Sequence, residues 1–284
     1  MDASEQNRRA DVFRALHRAP PILLLPNAWD AMSAAIFEAA GHKAIATTSA
    51  GVAWALGFAD GEQAPWPEVV AATKRIVDAV SVPVTADIET GYGAGPVEVA
   101  KSIAEIARAG AVGVNLEDGA AAMPNHLRPL EDAAARVRAA RDAASQAGVK
   151  LVINARVDTY LHPSGSAAER FAETVRRAKA YLAAGADCIY PITLSDLGTI
   201  ADLTRAIGAP VNIMGRSGVP SLAELERAGV ARVTIASGAT LAIMGEIKRI
   251  ATSLRESGDF GALGRGMGRP EAQQLFAKRG GARS

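Results

Sequence analysis

Acidic residues in two short segments carry the first chemical signal in the chain. TADIETGYG (85–93) holds Asp87 and Glu89, and NLEDG (115–119) holds Glu117 and Asp118. Asp87 and Glu89 sit two residues apart at the end of an apolar run, so on an extended strand both side chains face the same way. Carboxylates crowded at one rim repel unless a cation sits among them. Mg²⁺ takes carboxylates and waters, commonly with one or two direct carboxylates, and Mn²⁺ accepts the same oxygen set. No His/Cys cluster has the spacing of a zinc site. NARVD (154–158) adds Arg156. Its guanidinium suits a substrate carboxylate or a developing enolate oxygen, or a salt bridge to Glu117 or Asp87. Ser49, Ala50 and Gly51 place a hydroxyl beside backbone N–H groups, which suits a carboxylate or phosphoryl oxygen as well as a plain turn. His126 follows the Glu117–Asp118 pair and reads either as an acid/base group or as a solvated loop histidine. Thr47 and Asn212, in two further apolar runs, are candidates for substrate contact. Cys188, inside such a run, reads as core rather than nucleophile.

These residues need a scaffold that brings distant segments to one place. Eight short apolar runs have the continuous character of parallel strands buried on both faces: 22–25, 43–48, 82–87, 112–117, 151–155, 188–190, 211–214 and 232–235. Amphipathic segments at 67–80, 96–109, 128–147, 168–184 and 220–228 alternate with them, three opening on proline and several ending just before glycine. ARAGAVGVN, SQAGVKLVIN, LAAGADCIY and ERAGVARVTI repeat one unit, a helix stopped at glycine followed at once by a strand. The pattern predicts an α/β fold, a (β/α)₈ TIM barrel, with an open doubly wound sheet as the alternative. A dinucleotide site is not expected, because no G-x-G-x-x-G follows the first strand. In a parallel barrel the C-terminal ends of the strands carry the chemistry, and every candidate above except His126 falls at or near such an end.

The 284 residues are 49% hydrophobic and 21% charged, with a net charge of +1. One barrel domain over 1–284, with 255–284 as a C-terminal extension, accommodates that length. The basic residues are scattered rather than gathered in a stripe, which argues against nucleic acid. The single cysteine fits a reducing compartment, no apolar run reaches membrane-spanning length, and the polar start lacks a signal sequence, so a cytoplasmic location is expected. After Leu254 a glycine-rich stretch leads to a last helical segment, 271–278, suited either to a loose tail or to packing on a neighbouring subunit.

The segments LLLPNAWDAMSA, ATTSAGVAWALGFADGE, VPVTADIETGYG, AGAVGVNLEDG, INARVDTY, AGADCIYP and PVNIM, in this order, resemble the isocitrate lyase/phosphoenolpyruvate mutase superfamily over nearly the whole chain. The resemblance implies an (α/β)₈ barrel, Mg²⁺, and a tetramer built from helix-swapped dimers, which favours the subunit-packing reading of 271–278. By position, Asp87 matches the direct metal ligand, and Asp60, Glu89 and Glu117 its water-mediated partners. Ser49, Ala50 and Gly51 match the segment holding the 2-oxo acid carboxylate, and Arg156 the arginine on the substrate oxygen. The chain also departs from the pattern. GAAAMPNHLRPLED (119–132) lacks the lyases' K-[KR]-C-G-H loop and the phosphonomutases' K-x-N-S. Asn115 stands in place of the lyases' histidine, Ile192 in place of their glutamate, and SGATLAI offers no match to their arginine. The subsites for extra carboxylates are therefore missing, which argues against a tricarboxylate.

Three readings follow. The first is a Mg²⁺-dependent lyase or decarboxylase that forms an enolate from an oxaloacetate-like 2-oxo dicarboxylate, with Arg156 stabilising charge and His126 or a water giving the proton. The second is a phosphonomutase or phosphonopyruvate hydrolase acting on a P–C bond. The third is a protein that binds a 2-oxo acid such as 2-oxoglutarate without turning it over.

Overall fold

A computed structural model describes residues 1–18, 20–120 and 127–277. All eight apolar runs form parallel strands: β1 (Leu23–Leu25) with its continuation β2 (Asn27–Ala28), β3 (Ile45–Thr47), β4 (Val84–Asp87), β5 (Gly113–Glu117), β6 (Val152–Val157), β7 (Cys188–Pro191), β8 (Asn212–Met214) and β9 (Arg232–Thr234). Pro26, with no N–H to donate, splits the first strand in two. Its first half pairs with β9 and its second with β3. The run β2-β3-β4-β5-β6-β7 thus meets the run β1-β9-β8 at Pro26, and a bridge between Ile189 and Val211 joins the other ends. The sheet closes on itself, so the (β/α)₈ barrel holds and the open doubly wound alternative falls.

The helices α4 (Trp66–Asp78), α5 (Pro96–Arg108), α6 (Leu130–Gln146), α7 (Ala167–Ala184) and α9 (Leu222–Arg227) match the amphipathic segments to within about two residues at each end. The barrel ring also contains α2 (Ala31–Ala39), α3 (Ser49–Leu56), α8 (Leu197–Ile207) and α10 (Gly238–Ser257), which the sequence pattern did not single out. Before the barrel lies an unanticipated helix, α1 (Ala3–Leu16), polar over most of its surface. Its Ala10 and Phe13 are fully buried and pack with Leu23, Leu25, Ala44, Ala46, Val112 and Val152. That cluster closes the N-terminal end of the barrel. Gln6 Nε2 fixes the helix by donating to the carbonyls of Ala107 (2.7 Å) and Ala111 (2.9 Å).

α10 extends well past the barrel, and Leu241, Ile243, Met244 and Ile247 on it are 46–60% exposed. The last helix, α11 (Arg269–Ala277), lies beside α2. No helix among the described residues is long and apolar enough to cross a membrane.

Phe13 fills a site that nothing else can fill without moving α1. Phe13→Ala is expected to lower stability by about 3–5 kcal/mol, the usual cost of emptying an aromatic core site, as read by denaturant unfolding. A loss below about 1 kcal/mol would show that α1 does not seal the barrel.

Candidate active site

A cavity of about 270 Å³ opens at the C-terminal ends of the strands. Asp60, Asp87, Asn27, Asn115, Arg156 and Tyr190 line it, with Ser49 and Ala50 at the start of α3 and Thr193, Met214, Thr234 and Ser237 on the far wall. Asp87 is the last residue of β4 and is held on two sides. Its N–H donates to Thr47 Oγ1 (2.8 Å), and its Oδ2 accepts from the Ser49 N–H (3.1 Å). Asn27 stitches the rim where the barrel closes: Nδ2 donates to the Thr47 carbonyl (2.8 Å) and Oδ1 accepts from the Ile235 N–H (2.9 Å).

A second cavity, of about 370 Å³, lies alongside and shares Arg156 and Leu161 with the first. Glu62, Glu89, Glu117, Arg128 and Asp158 line it. The expectation that Asp87 and Glu89 share one face of a strand is corrected here. β4 ends at Asp87, and Glu89 lies in a turn with left-handed backbone (φ 51°). Its carboxylate accepts from the Glu62 N–H (2.8 Å) and the Tyr92 hydroxyl (3.2 Å). Glu62 answers by accepting from the N–H groups of Thr90 (3.0 Å) and Tyr92 (2.9 Å) and from the Thr90 hydroxyl (2.7 Å). The loop after α3 and the loop after β4 are thereby clamped together. The five non-glycine residues with positive φ among those described are Glu62, Glu89, Tyr92, Thr193 and Ala236. Four line one of the two cavities and the fifth bonds Glu89, so the backbone strain collects at the barrel mouth, as it does at functional sites.

Arg156 stands between the cavities. It forms a fork with Asp158 (Nε to Oδ1 2.7 Å, Nη2 to Oδ2 2.9 Å) and ion-pairs with Glu117 through Nη1. Asp118, grouped in the sequence with the rim acids, turns into the wall instead. It accepts from the Asp158 N–H (2.9 Å), the Tyr181 hydroxyl (2.6 Å) and Arg177 (3.0 Å), and is a structural anchor.

Three more expected contacts are relocated. Thr47 and Asn212 do not line the cavity. Thr47 supports Asp87 from behind, and Asn212 exchanges hydrogen bonds with Thr234, which does line it. Gly51 sits in the first turn of α3 with no room for a side chain, since a Cβ there would lie 2.6 Å from Thr48 and 2.9 Å from Trp29. Its role is close packing. Cys188 is buried in β7, as core. His126 lies outside the described residues. Glu62, Tyr92, Asp158 and Tyr190 were not singled out from the sequence. For Asp158, the NARVD run two residues past Arg156 was the available signal.

The site carries an excess of buried negative charge. Burial raises the Asp60 carboxyl and the Asp87 charge adds to that. Burial pushes Glu89 up to about 7, with Asp87, Asp60 and Glu62 adding to the effect against the Glu62 N–H bond. Burial also raises Glu117, against the pull of Arg156. Among the described residues, no group of three or more His, Cys, Asp or Glu side chains is arranged to hold a metal ion by itself. Asp60, Asp87, Glu89 and Glu117 offer oxygen donors only, the chemistry a hard cation would take with one or two direct carboxylates and several waters.

Glu89 generates a pH dependence of known sign. A carboxyl whose pKa rises from 4.5 unfolded to about 7 folded binds its proton more tightly in the folded state. Its stabilising contribution is complete below pH 4.5 and is lost as pH rises towards 7, by on the order of 3 kcal/mol. His17, held down to about 4 by burial, acts in the opposite sense between pH 4 and 6.5, so the difference between two proteins is the informative quantity. Metal-free wild type is expected to lose stability relative to Glu89→Gln between pH 5 and 7. A pH-independent difference would contradict the shift.

Comparison with known proteins places the chain. The phosphoenolpyruvate phosphomutase family model matches residues 13–255. The 2-methylisocitrate lyase of Salmonella typhimurium is 30% identical over 257 residues, 87% of this chain and 84% of that one. The crystal structure of a Burkholderia cenocepacia J2315 protein, described provisionally as a phosphonomutase, is 42% identical with a TM-score of 0.84, covering 87% of this chain and 99% of that one. A phosphonopyruvate hydrolase bound to oxalate and Mg²⁺ shares the fold at 21% identity, with a TM-score of 0.84 and coverage of 96% of each chain. With eight parallel strands closed into a barrel and an acidic mouth beside Arg156, the chain belongs to the isocitrate lyase/phosphoenolpyruvate mutase superfamily, a family of lyases and mutases.

Proposed function

We propose that the protein is a Mg²⁺-dependent lyase or decarboxylase that breaks a bond at C3 of a small, oxaloacetate-like 2-oxo dicarboxylate and leaves a pyruvate-type enolate. One observation carries this reading. Asp60 and Asp87 line the cavity with Glu89 close behind, while Arg156, the cation that lines it, is already engaged by Glu117 and Asp158. A divalent cation held mainly by Asp87, with Asp60, Glu89 and Glu117 acting through water, would relieve that imbalance; Mg²⁺ and oxalate occupy a relative of the same fold. When bound, Mg²⁺ supplies a Lewis acid for the substrate's carboxylate and 2-oxo oxygens as negative charge develops.

The chain's own residues do the rest. The first turn of α3 offers Ser49 and Ala50 to the carboxylate end, where the helix dipole favours an anion. Arg156 is fixed by its fork to Asp158, so its remaining face meets the enolate oxygen without reorganising. Burial pushes the Tyr190 phenol up to about 12, so it stays protonated in the wall as a neutral donor. Thr234 and Ser237 line the wall that would face the far end of the substrate. The proton for C3 comes from His126 or from a bound water.

Oxaloacetate and substituted malates, each incubated with and without Mg²⁺, test the reading. Turnover is expected only with the metal, and Asp87→Ala is expected to lower it by at least about 100-fold, since even residues that merely orient metal ligands cost up to that much. Metal-independent turnover would remove the proposal. Binding of a 2-oxo acid with no product would favour a purely binding role. The resemblance to the Burkholderia protein motivates a second reading, chemistry at a P–C bond, and conversion of phosphonopyruvate followed by phosphorus NMR would establish it instead.

We also propose that a second copy covers the exposed apolar residues of α10, giving a homo-oligomer whose dimers exchange C-terminal helices. Ile247→Glu is expected to reduce the mass measured by light scattering. A monomeric wild type, or an unchanged mass in the variant, would contradict this.

A further inference from the structure

Arg232, on β9, is fully buried inside the barrel between Phe13 of α1 and the floor of the Asp87 cavity. No carboxylate pairs with it among the described residues. Its Nη2 donates to Asn115 Oδ1 at 3.3 Å, and its guanidinium carbon lies 5.9 Å from the centre of the Phe13 ring. Nε and Nη1 have no partner among the described residues. A buried guanidinium served this thinly is costly, and apolar replacement of buried charge is often neutral or stabilising. Stability alone therefore gives no reason for an arginine here, and its one hydrogen-bonding partner shows what the charge does.

That partner is Asn115. Its Oδ1 accepts twice, from Asn154 Nδ2 (2.8 Å) and from Arg232 Nη2 (3.3 Å). Two donors on one oxygen fix which end of the amide faces the interior, because Nδ2 cannot accept from either. Asn115 also lines the cavity, directly in register with Asp87 on the neighbouring strand. Its Nδ2 makes no hydrogen bond among the described residues.

We infer that Arg232 is a positioning residue which, with Asn154, holds the Asn115 amide so that Nδ2 donates into the Asp87 cavity, to the substrate oxygen on which negative charge develops. The cationic donor on Oδ1 polarises the amide and strengthens Nδ2 as a donor. The barrel interior thus applies positive charge to the cavity floor through a neutral side chain, where a preorganised donor acts most strongly. This inference rests on the 2-oxo acid reading of the cavity.

Oxalate, a planar dianion, serves as the probe. It is titrated with Mg²⁺ into wild type, Arg232→Met, Arg232→Lys, Asn115→Leu and the Arg232→Met/Asn115→Leu double variant by calorimetry. Arg232→Met is expected to unfold at a temperature no lower than wild type, yet to bind oxalate about 10-fold more weakly, the scale of one charge-assisted hydrogen bond. Arg232→Lys should keep most of the affinity. In the Asn115→Leu background the Arg232→Met effect should vanish. An equal loss with and without Asn115, or a lowered melting temperature with unchanged affinity, would overturn the inference. A ligand-free measurement separates it from the reading on which it rests. The Asn115 side-chain amide resonance, assigned by its loss in Asn115→Leu, should move in Arg232→Met even if oxalate does not bind wild type. An unmoved resonance overturns the inference, whereas failure of oxalate to bind removes only the 2-oxo acid reading. Should Arg232→Met not fold, Arg232→Gln takes its place in both measurements.

Discussion

Arg156 is committed before any ligand arrives. Its fork to Asp158 and its ion pair with Glu117 engage each of the three guanidinium nitrogens once, leaving one N–H on each Nη. Close by, burial raises the Asp60 and Glu89 carboxyls, and the Asp87 charge adds to both. Partly buried charges of one sign do not stay together without compensation, either by protons or by a cation. Protons compensate at low pH. At neutral pH, in the proposed reading, a hard cation would do so, held by oxygen donors.

The barrel makes that arrangement possible by fixing the acids on separate elements. Asp87 ends β4 and is held by Thr47 of β3 and by the first N–H of α3. Glu117 ends β5 and faces Arg156 across the β5–β6 pair. Glu89 reaches the rim through a strained turn, which the Glu62 clamp holds in place. Asn27 secures the rim where the first and last strands meet. The wall behind is tied by Asp118, Arg177 and Tyr181. Strain and crowded charge at the mouth are therefore borne by hydrogen bonds outside the cavity.

Much of this was legible in the sequence, for physical reasons. Parallel strands buried on both faces read as continuous apolar runs, and the glycine that stops several of the helices marks where the next strand begins, so all eight strand positions were visible. The place of Asp87 and Arg156 at the barrel mouth was legible because both sit at the ends of such runs. Glu89 was misplaced because nothing in DIET announces a left-handed residue; the strain depends on Glu62, 27 positions earlier. The seal formed by α1 was missed because its apolar face amounts to little more than Ala10 and Phe13. Arg232 was hidden inside a run that reads as strand, and only the closed barrel shows that its side chain points inward. Thr47, Gly51 and Asn212 sit at the expected rim, but spacing alone does not separate a residue on the cavity wall from one directly behind it.

The most direct measurement is a crystal structure grown with magnesium and oxalate. The expected result is a six-coordinate ion against Asp87, with Asp60, Glu89 and Glu117 reached through water and oxalate on the α3 side of the cavity. Oxalate absent from the cavity and the ion bound elsewhere, with Asp87 still held only by the Ser49 N–H, would contradict it.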